Sequence, residues 1–433
     1  MIDFDDLRRD IDAREEWFVE LLRARRARAA LPVRALGRFE TIAEWFAAAR
    51  RSQDVRDLAR ARLIVFAAEH GIAEADISGH PKDASRRLAD EIESGTGPIA
   101  ALADGAGAGV RVVRVGDGPS RRIDRADALT EEEFDAAVTR GVEVANEEVD
   151  GGADLLMVAA SGVAVSAPAA TIVGVILRAD PSSVTGRGSG IEDAGWMRKV
   201  VVIRDAMRRG RRFYAEPAEL LRTAGGADLA AMVGFLMQAG VRRTPVLLDG
   251  VAASAAALLA RDIAWSATNW WLASCTGEEP AHRKALEAMT LEPLLDADIR
   301  IGGGAAALAA LPVLRAALRS VGAALEGVEP EPETTEEAAD DPVPESDPAA
   351  NEGSDELTGA DPAGDADQES PDAHWHRFDD LPGAGADQPS DATAVELTAT
   401  DASATDASTN PESAPGQPES AAPSEKSVSR PDE

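Results

Sequence analysis

The sequence predicts an α/β fold in which a parallel β-sheet is flanked by helices. Short apolar runs alternate with segments of helical length through residues 1–325, as expected of repeated β–α units. The runs are rich in Val, Leu and Ile, which is typical of strands buried on both faces. The same residues are numerous enough for one large domain and a smaller helical one. The predicted body is therefore a three-layer, Rossmann-like sheet with a smaller helical domain, followed by a disordered tail over residues 326–433.

Three helices and three strands are predicted in the first half of the chain. The first helix carries an apolar stripe through Ile11, Phe18 and Leu22. Thr130 and Glu133 have the spacing of a capping box, which predicts where the third helix begins. The predicted helices cover residues 5–30, 39–49 and 131–149, and the predicted strands cover residues 63–67, 110–115 and 154–159.

One uncharged segment admits two interpretations. Residues 155–177 carry no charge over 23 positions, which is long enough for a membrane span. The segment consists mostly of Ala, Gly, Ser and Val, and Pro168 interrupts it soon after Ser166. We therefore predict a buried strand followed by a helix, and no membrane partner.

The second half is predicted to end in a β-type run, a glycine turn and a long helix. Residues 299–301 form the run, Gly302, Gly303 and Gly304 follow, and an Ala-rich helix continues to residue 321. Before them, the predicted helices cover residues 192–209, 227–239 and 251–261, and the predicted strand covers residues 246–248.

The glycine turn is a predicted anion site. Backbone N–H groups at the start of a helix are free, and the helix dipole adds partial positive charge, so the turn suits a phosphate or a carboxylate. Residues 301–308 contain no carboxylate, imidazole or hydroxyl group. We therefore predict that this turn binds an anion but supplies no proton donor or acceptor.

Four sites follow predicted strands and are expected at the same edge of the sheet. They are His70, Gly162, Asp249 and the turn at 302–304. Ligands of parallel sheets bind at the carboxyl ends of the strands, so these residues predict one shared crevice. Ordinary turn chemistry explains Asp249 and each glycine equally well when they are taken one by one. Their recurrence in equivalent positions favours a binding site.

Charge is concentrated in the C-terminal tail. Residues 326–433 contain 3 basic and 30 acidic residues, whereas residues 1–325 carry a net charge of −6. A near-neutral body with a strongly negative tail argues against a nucleic-acid partner. Within the tail, residues 374–378 (HWHRF) are either a docking motif for a protein or a chance cluster.

The N-terminus and the cysteine count predict a cytoplasmic protein. The first ten residues are charged and contain no apolar signal segment. Cys275 is the only cysteine, which excludes an internal disulfide and fits a reducing compartment. The five histidines show no metal-ligand spacing with Cys275, so we predict no metal site.

Several segments resemble the nicotinate-nucleotide:dimethylbenzimidazole phosphoribosyltransferases. The likeness extends in order through nearly all of residues 30–325. The segments that carry it are residues 188–199 (GSGIEDAGWMRK), 225–232 (GGADLAAM), 242–260 (RRTPVLLDGVAASAAALLA) and 278–306 (EEPAHRKALEAMTLEPLLDADIRIGGGAA).

The resemblance implies an activity and an assembly. Enzymes of this family transfer ribose 5-phosphate from nicotinate mononucleotide to 5,6-dimethylbenzimidazole, a step in the synthesis of the lower ligand of cobalamin. The resemblance implies a parallel sheet with a smaller domain, a homodimer, and neither a metal nor an organic cofactor. The substrate-binding residues that it implies in this chain are Ser78, His80, Gly162, Ser166, Lys199, Asp249, His282, Gly302, Gly303 and Gly304.

The chain departs from the family pattern where chemistry is expected. The family has a glutamate among the glycines after the last strand, where this chain has Gly303, and that glutamate is the implied general base. A second family glutamate, in the loop after strand 154–159, corresponds to Ala160. General acid–base assistance is typically worth ~10²–10⁴-fold in rate. We therefore expect weak or altered transfer.

Two interpretations are open for the missing base, and two are open for the function of the whole protein. Glu278 or Glu279 adjoins the crevice and is a candidate base, or else a solvated or capping residue. Lys199 is either a phosphate ligand or an exposed helix cation, and His282 is either a ligand or a structural histidine. The chain is accordingly either a divergent phosphoribosyltransferase or a non-catalytic relative that binds a nucleotide or base as a sensor or scaffold.

Overall fold

Six parallel strands form one sheet in the computed structural model, which describes residues 4–55 and 58–332. The strands are β1 (Ala61–Ala67), β2 (Gly109–Arg114), β3 (Leu155–Ser161), β4 (Val246–Leu248), β5 (Trp271–Cys275) and β6 (Pro293–Leu295). Their order across the sheet is β2-β1-β3-β4-β5-β6, and every neighbouring pair is parallel. The chain thus extends the sheet first to one side of β1 and then to the other. This reversal between β1 and β3 is the place where α/β sheets bind ligands, beyond the carboxyl ends of the strands.

The described residues form fourteen α-helices around this sheet. They are α1 (Phe4–Asp10), α2 (Glu16–Ala27), α3 (Arg38–Arg50), α4 (Ser85–Glu93), α5 (Gly97–Ala106), α6 (Glu131–Asp150), α7 (Ser166–Ile176), α8 (Pro181–Val184), α9 (Asp193–Gly210), α10 (Pro217–Ala224), α11 (Ala227–Val241), α12 (Gly250–Ile263), α13 (Pro280–Ala288) and α14 (Ala305–Ala324). Gly71–Ala75, Arg211–Phe213 and Trp265–Trp270 form short 3₁₀ segments.

Each face of the sheet is covered by its own hydrophobic core. In β1, Ile64 and Phe66 pack against helices that include α6, α7, α11 and α12, whereas Leu63 and Val65 pack against α3, α5 and α14. All four side chains are fully buried. Burial on both faces explains the continuous apolar runs of the sequence, and the three-layer α/β arrangement is as predicted.

The capping box that the sequence predicts is formed. Thr130 Oγ1 accepts the backbone N–H of Glu133 at 3.2 Å, and Glu133 Oε2 accepts the N–H of Thr130 at 2.7 Å. Two of the unpaired N–H groups at the start of α6 are satisfied in this way. The helix therefore begins where the sequence indicates.

The single predicted helix over residues 5–30 is two helices, so that prediction is wrong. The chain leaves the helical path between α1 and α2, and Ile11 there is 5% exposed within the main core. Trp270 Nε1 donates to the carbonyl oxygen of Asp12 at 3.1 Å. Tertiary packing of this connection therefore overrides the helical periodicity that the sequence shows.

The predicted β-type run over residues 299–301 is also not a strand. The strand that pairs with β5 is β6, and residues 299–301 lie in the loop that follows β6. Ile301 is 61% exposed, and the Arg300 side chain pairs with Asp298 and Glu278. The glycine turn is therefore reached through a loop of residues 296–301 rather than directly from a strand.

The uncharged run at 155–177 is a buried strand and a buried helix, β3 and α7, as predicted. In the described part of the chain, α14 is long and apolar enough to cross a membrane by length and composition. However, 61% of its most apolar window is buried in the fold. Leu308, Leu311 and Leu314 of α14 lie in the second core. The helix is thus packed as a core helix.

Residues 326–332, the start of the predicted tail, lie against the N-terminal part of the chain. Gln53 Nε2 donates to the carbonyl oxygen of Glu331 at 2.8 Å, and Arg25 Nε donates to that of Val328 at 2.9 Å. The predicted disorder beyond residue 332 and the motif at 374–378 lie outside the described residues. All described residues belong to one compact unit, and the division into a large and a smaller helical domain stays a prediction.

Candidate functional site

The loops after β1, β3, β4 and β5 meet at the carboxyl edge of the sheet. His70 follows β1, and Gly162 follows β3. A Cβ on Gly162 would lie 2.6 Å from the Ala68 carbonyl oxygen and 3.4 Å from His70 Cδ2, so only glycine allows this close approach. His70 Nε2 lies 3.0 Å from Asp228 Oδ2, and both side chains are buried. The histidine therefore joins the first two loops to the start of α11.

A buried lysine is the centre of the site. Lys199 of α9 is 1% exposed, and its Nζ donates to Ser166 Oγ and to the Gly186 carbonyl oxygen, both at 2.9 Å. Burial lowers the pKa of Lys199, and the nearby Glu279 carboxylate opposes that effect. The alternative of an exposed helix cation is thus wrong, because the ammonium group points into the fold at the N-terminus of α7.

Glu279 completes this arrangement, which we call the lysine cluster (Ser166, Lys199, Glu279 and the turn at 186–188). Glu279 Oε1 accepts the backbone N–H of Gly188 at 2.6 Å, and Oε2 lies 3.9 Å from Lys199 Nζ. Oε2 is buried and has no hydrogen-bond partner among the described residues. The cluster therefore contains one cation, one anion and spare hydrogen-bonding capacity.

Asp249 occupies the N-terminus of α14. Its Oδ2 accepts the N–H of Ala307 at 2.8 Å, and the carboxyl group also accepts from Ala306 and Gly304. Burial raises the pKa of Asp249 to about 6, although these N–H groups oppose the rise. The N–H groups that the sequence offers to an external anion thus bind a carboxylate of the chain itself. Whether the glycine turn (Gly302–Gly304) also takes a ligand stays a prediction.

The glycine turn has a backbone that favours glycine at each position. The φ angles of Gly302, Gly303 and Gly304 are +68°, +62° and +95°. A Cβ on Gly304 would clash with Leu63, whereas one on Gly303 would lie 3.0 Å from Ile92 Cδ1. A Cβ on Gly302 would meet no described atom within 4 Å. A side chain at Gly303 therefore requires the end of Ile92 to move by a few tenths of an ångström and also carries the backbone strain of a positive φ.

Ser78 and His80 lie beside the lysine cluster, across the loop at 186–190. Ser189 Oγ accepts the N–H of Gly79 at 2.7 Å and lies 3.1 Å from Ser78 Oγ. Ser78 Oγ accepts the N–H of His80 at 3.2 Å, and His80 is exposed. The structure thus brings these two predicted substrate-binding residues to the same loop that Glu279 contacts.

Glu278 and His282 lie on either side of Glu279 but differ in environment. The Glu278 side chain is 55% exposed and pairs with Arg300. His282 of α13 is buried, and burial together with Arg283 lowers the pKa of His282 to about 4. His282 is therefore neutral at pH 7 and adds no positive charge to the site.

Sequence reasoning missed the residues that complete these contacts. Gly186, Gly188 and Ser189 of the run GRGSG hold the lysine cluster together, and Asp228 holds His70. Three glycines within five residues indicate a turn, and this pattern could have identified the segment as a candidate site from the sequence. Among residues 4–55 and 58–332 no group of His, Cys, Asp and Glu side chains could hold a metal ion.

Comparison with known proteins identifies a family and relatives that match this chain. A family model described as phosphoribosyltransferase matches residues 11–326. The nicotinate-nucleotide–dimethylbenzimidazole phosphoribosyltransferase of Mycobacterium ulcerans is 43% identical over 314 residues, which cover 69% of this chain and 88% of the relative. That of Mycobacterium tuberculosis is 44% identical, with 69% and 87% covered.

A solved structure agrees. The crystal structure of CobT from Thermus thermophilus matches with a TM-score of 0.67 and 30% identity, covering 70% of this chain and 96% of that chain. The matched regions cover 88%, 87% and 96% of the length of these three relatives. The chain belongs to the nicotinate-nucleotide–dimethylbenzimidazole phosphoribosyltransferase family.

Proposed function

We propose that this chain transfers the 5-phosphoribosyl group of nicotinate mononucleotide to a benzimidazole-type base, at a low rate. The single observation that carries the proposal is Lys199, a buried ammonium group at the carboxyl edge of the sheet. Its two described hydrogen-bond acceptors are neutral oxygens, and the Glu279 carboxylate lies 3.9 Å away, so the ammonium group keeps one donor hydrogen for a phosphate in a site of low dielectric. The proposal includes a homodimer and a cytoplasmic location, which light scattering and cell fractionation test.

The proposed reaction exchanges one base for another at the ribose. The free ring nitrogen of the incoming base attacks C1′, the bond from C1′ to the nicotinate nitrogen breaks, and nicotinate leaves. The proton on the other ring nitrogen of the incoming base must then pass to an acceptor. In this chain, Gly303 and Ala160 supply no acceptor at the two positions where the family has glutamates.

The remaining carboxylates are poorly placed to replace that acceptor. Glu278 is solvated and paired with Arg300, and Glu279 is engaged with Gly188 and Lys199. Asp249 is 5% exposed and accepts N–H groups of α14. Water is then the acceptor, and we expect a rate ~10²–10⁴-fold below that of an enzyme with a positioned base.

A second candidate function is binding without turnover. The absence of a carboxylate side chain at both Gly303 and Ala160 favours it, because binding groups persist where proton-transfer groups do not. In this case the chain binds the nucleotide or the base as a sensor or scaffold. Transfer requires that nicotinate mononucleotide binds, whereas the second candidate requires only that the nucleotide or the base binds.

The test is a calorimetric titration of the full chain with nicotinate mononucleotide, followed by a product assay with dimethylbenzimidazole. Binding with slow product formation supports transfer, and binding without product supports the second candidate. If neither nicotinate mononucleotide nor dimethylbenzimidazole gives a heat of binding at millimolar concentration, both candidates are excluded.

Restoring the missing base sharpens this test. We expect Gly303→Glu to raise the rate of product formation by ~10²–10⁴-fold, since it returns a carboxylate to the family position. The matched control is Gly302→Glu, which adds the same charge and a similar backbone strain but points the side chain into open space. Equal rates in the two variants would show that the position of the carboxylate does not matter, which contradicts the proposal.

A further inference from the structure

The side chain of Glu279 does not cap the helix that it precedes. Glu279 is the N-cap residue of α13, a position where a carboxylate commonly accepts an N–H of its own helix. No such cap is formed, and Oε1 instead accepts the N–H of Gly188, 91 residues away in sequence, at 2.6 Å. The Glu279 carboxylate therefore joins α13 to the loop before α9 instead of capping its own helix.

Gly186 makes room for that carboxylate. A Cβ built on Gly186 would lie 2.5 Å from Cδ, Oε1 and Oε2 of Glu279. The carboxylate therefore lies flat against the α-carbon of Gly186, and any side chain there would displace it. The Gly186 carbonyl oxygen accepts from Lys199 Nζ at 2.9 Å, so this glycine touches both charged groups.

Glu279 is also the counter-charge of Lys199. Its Oε2 lies 3.9 Å from Nζ, and Glu279 is the charged residue whose field acts on Lys199 among the described residues. The other atoms that Nζ contacts, Ser166 Oγ and the Gly186 carbonyl oxygen, are neutral. An ammonium group that is buried without a counter-charge tends to lose its proton.

We propose that Glu279 is a positioning residue that holds the turn at 186–188 and keeps Lys199 protonated and aimed at the phosphate of the nucleotide donor. The inference rests on the proposed function for the identity of the donor. The contacts among Glu279, Gly186 and Lys199 do not depend on it. Glu279 transfers no proton in this role.

The first test measures the charge of Lys199 without any substrate. The sequence contains four lysines, Lys82, Lys199, Lys284 and Lys426, so NMR of the ¹³C-lysine-labelled full chain resolves each ε-carbon, and Lys199→Arg assigns one signal. Glu279→Gln keeps the acceptor for Gly188 but removes the charge. We expect the titration midpoint of Lys199 to fall by about one pH unit or more in this variant. An unchanged midpoint would overturn the inference.

The second test leaves both charged residues in place. Gly186→Ala places a methyl group where the carboxylate lies, so it should lower the Lys199 midpoint and weaken nucleotide binding by about tenfold. The matched control is Gly118→Ala in another loop, where the backbone has no positive φ and a Cβ meets no described atom within 4 Å. If Gly186→Ala behaves like Gly118→Ala, the carboxylate is not held as proposed and the inference fails. The comparison of Gly186→Ala with its control tests the inference even if Glu279→Gln does not fold.

The third test separates a positioning role from proton transfer. A positioning role predicts that Glu279→Gln raises KM for nicotinate mononucleotide increasingly as pH rises from 7 to 9, because Lys199 then loses its proton earlier. Loss of kcat with unchanged KM would identify Glu279 as the proton acceptor and overturn the inference. If the wild-type chain binds no nucleotide but the Lys199 midpoint still falls in Glu279→Gln, the proposed function fails and the assigned counter-charge stands.

Discussion

The lysine cluster and the glycine turn lie at the same edge of the sheet but differ in how their polar groups are satisfied. In the lysine cluster, Lys199 has three donor hydrogens and two described acceptors, and Glu279 Oε2 has no described hydrogen-bond partner. At the glycine turn, Asp249 already accepts the N–H groups at the start of α14. One region retains capacity for a ligand, and the other is filled by the chain itself.

Under the proposed function, this difference separates binding from proton transfer. The lysine cluster is the proposed phosphate site, whereas the glycine turn, where the resemblance implies the proton acceptor of the family, carries Gly303 and lies beside the buried, internally bonded Asp249. The predictions below test each half of this contrast.

The first prediction concerns the lysine cluster and carries the largest expected effect on ligand binding. Lys199→Met keeps much of the side-chain length and removes the charge, so we expect the Kd for nicotinate mononucleotide to rise about 10–100-fold, since a hydrogen bond to a charged group is worth about 1.5–3 kcal/mol. Calorimetric titration measures this. Arg198→Met on the same helix, whose exposed side chain pairs with Asp76, is the control and should bind as the wild type does. Similar losses in both variants would mean that general surface charge, not Lys199, draws in the phosphate.

The sheet was predictable because its pattern is local. Strands such as β1 and β3 are buried on both faces, and their apolar runs need no knowledge of the rest of the chain. Residues 299–301 (IRI) are likewise rich in β-branched side chains, but β6 and not this run pairs with β5. A run of three residues is too short to show which of two neighbouring segments forms the strand.

The site was predictable in its location but not in its contacts. Asp249 follows a strand, as a site residue should, but its hydrogen-bond partner Ala307 is 58 residues further along. The sequence likewise left the burial of Lys199 open, because a lysine on an amphipathic helix is usually exposed. Its acceptors, Ser166 and Gly186, come from two other loops. Such contacts arise only when the loops meet.

The second prediction tests whether His282 lies neutral beside the lysine cluster. Its pKa falls from 6.5 to about 4 on burial, so its contribution to stability is complete above pH 6.5 and is lost as pH falls toward 4. Relative to His282→Asn, the wild type should lose about 2 kcal/mol of unfolding free energy between pH 7 and pH 5. Urea denaturation across this range, kept above the sequence pI of about 4.5, gives the difference. A difference that does not vary with pH would mean that His282 has the same pKa in the folded and the unfolded chain, which contradicts its burial as a neutral group.

The third prediction has the opposite sign and concerns the glycine turn. The pKa of Asp249 rises from 3.8 to about 6, so the folded state favours its protonated form, and stability from this group is lost as pH rises from about 4 to 6. Relative to Asp249→Asn, the wild type should gain about 1 kcal/mol between pH 7 and pH 5, while His282 acts in the other direction. The same urea series measures it. If Asp249 is instead open to solvent, its pKa stays ordinary and the stability difference does not vary between pH 7 and pH 5. That result would indicate that the glycine turn is available to an external anion.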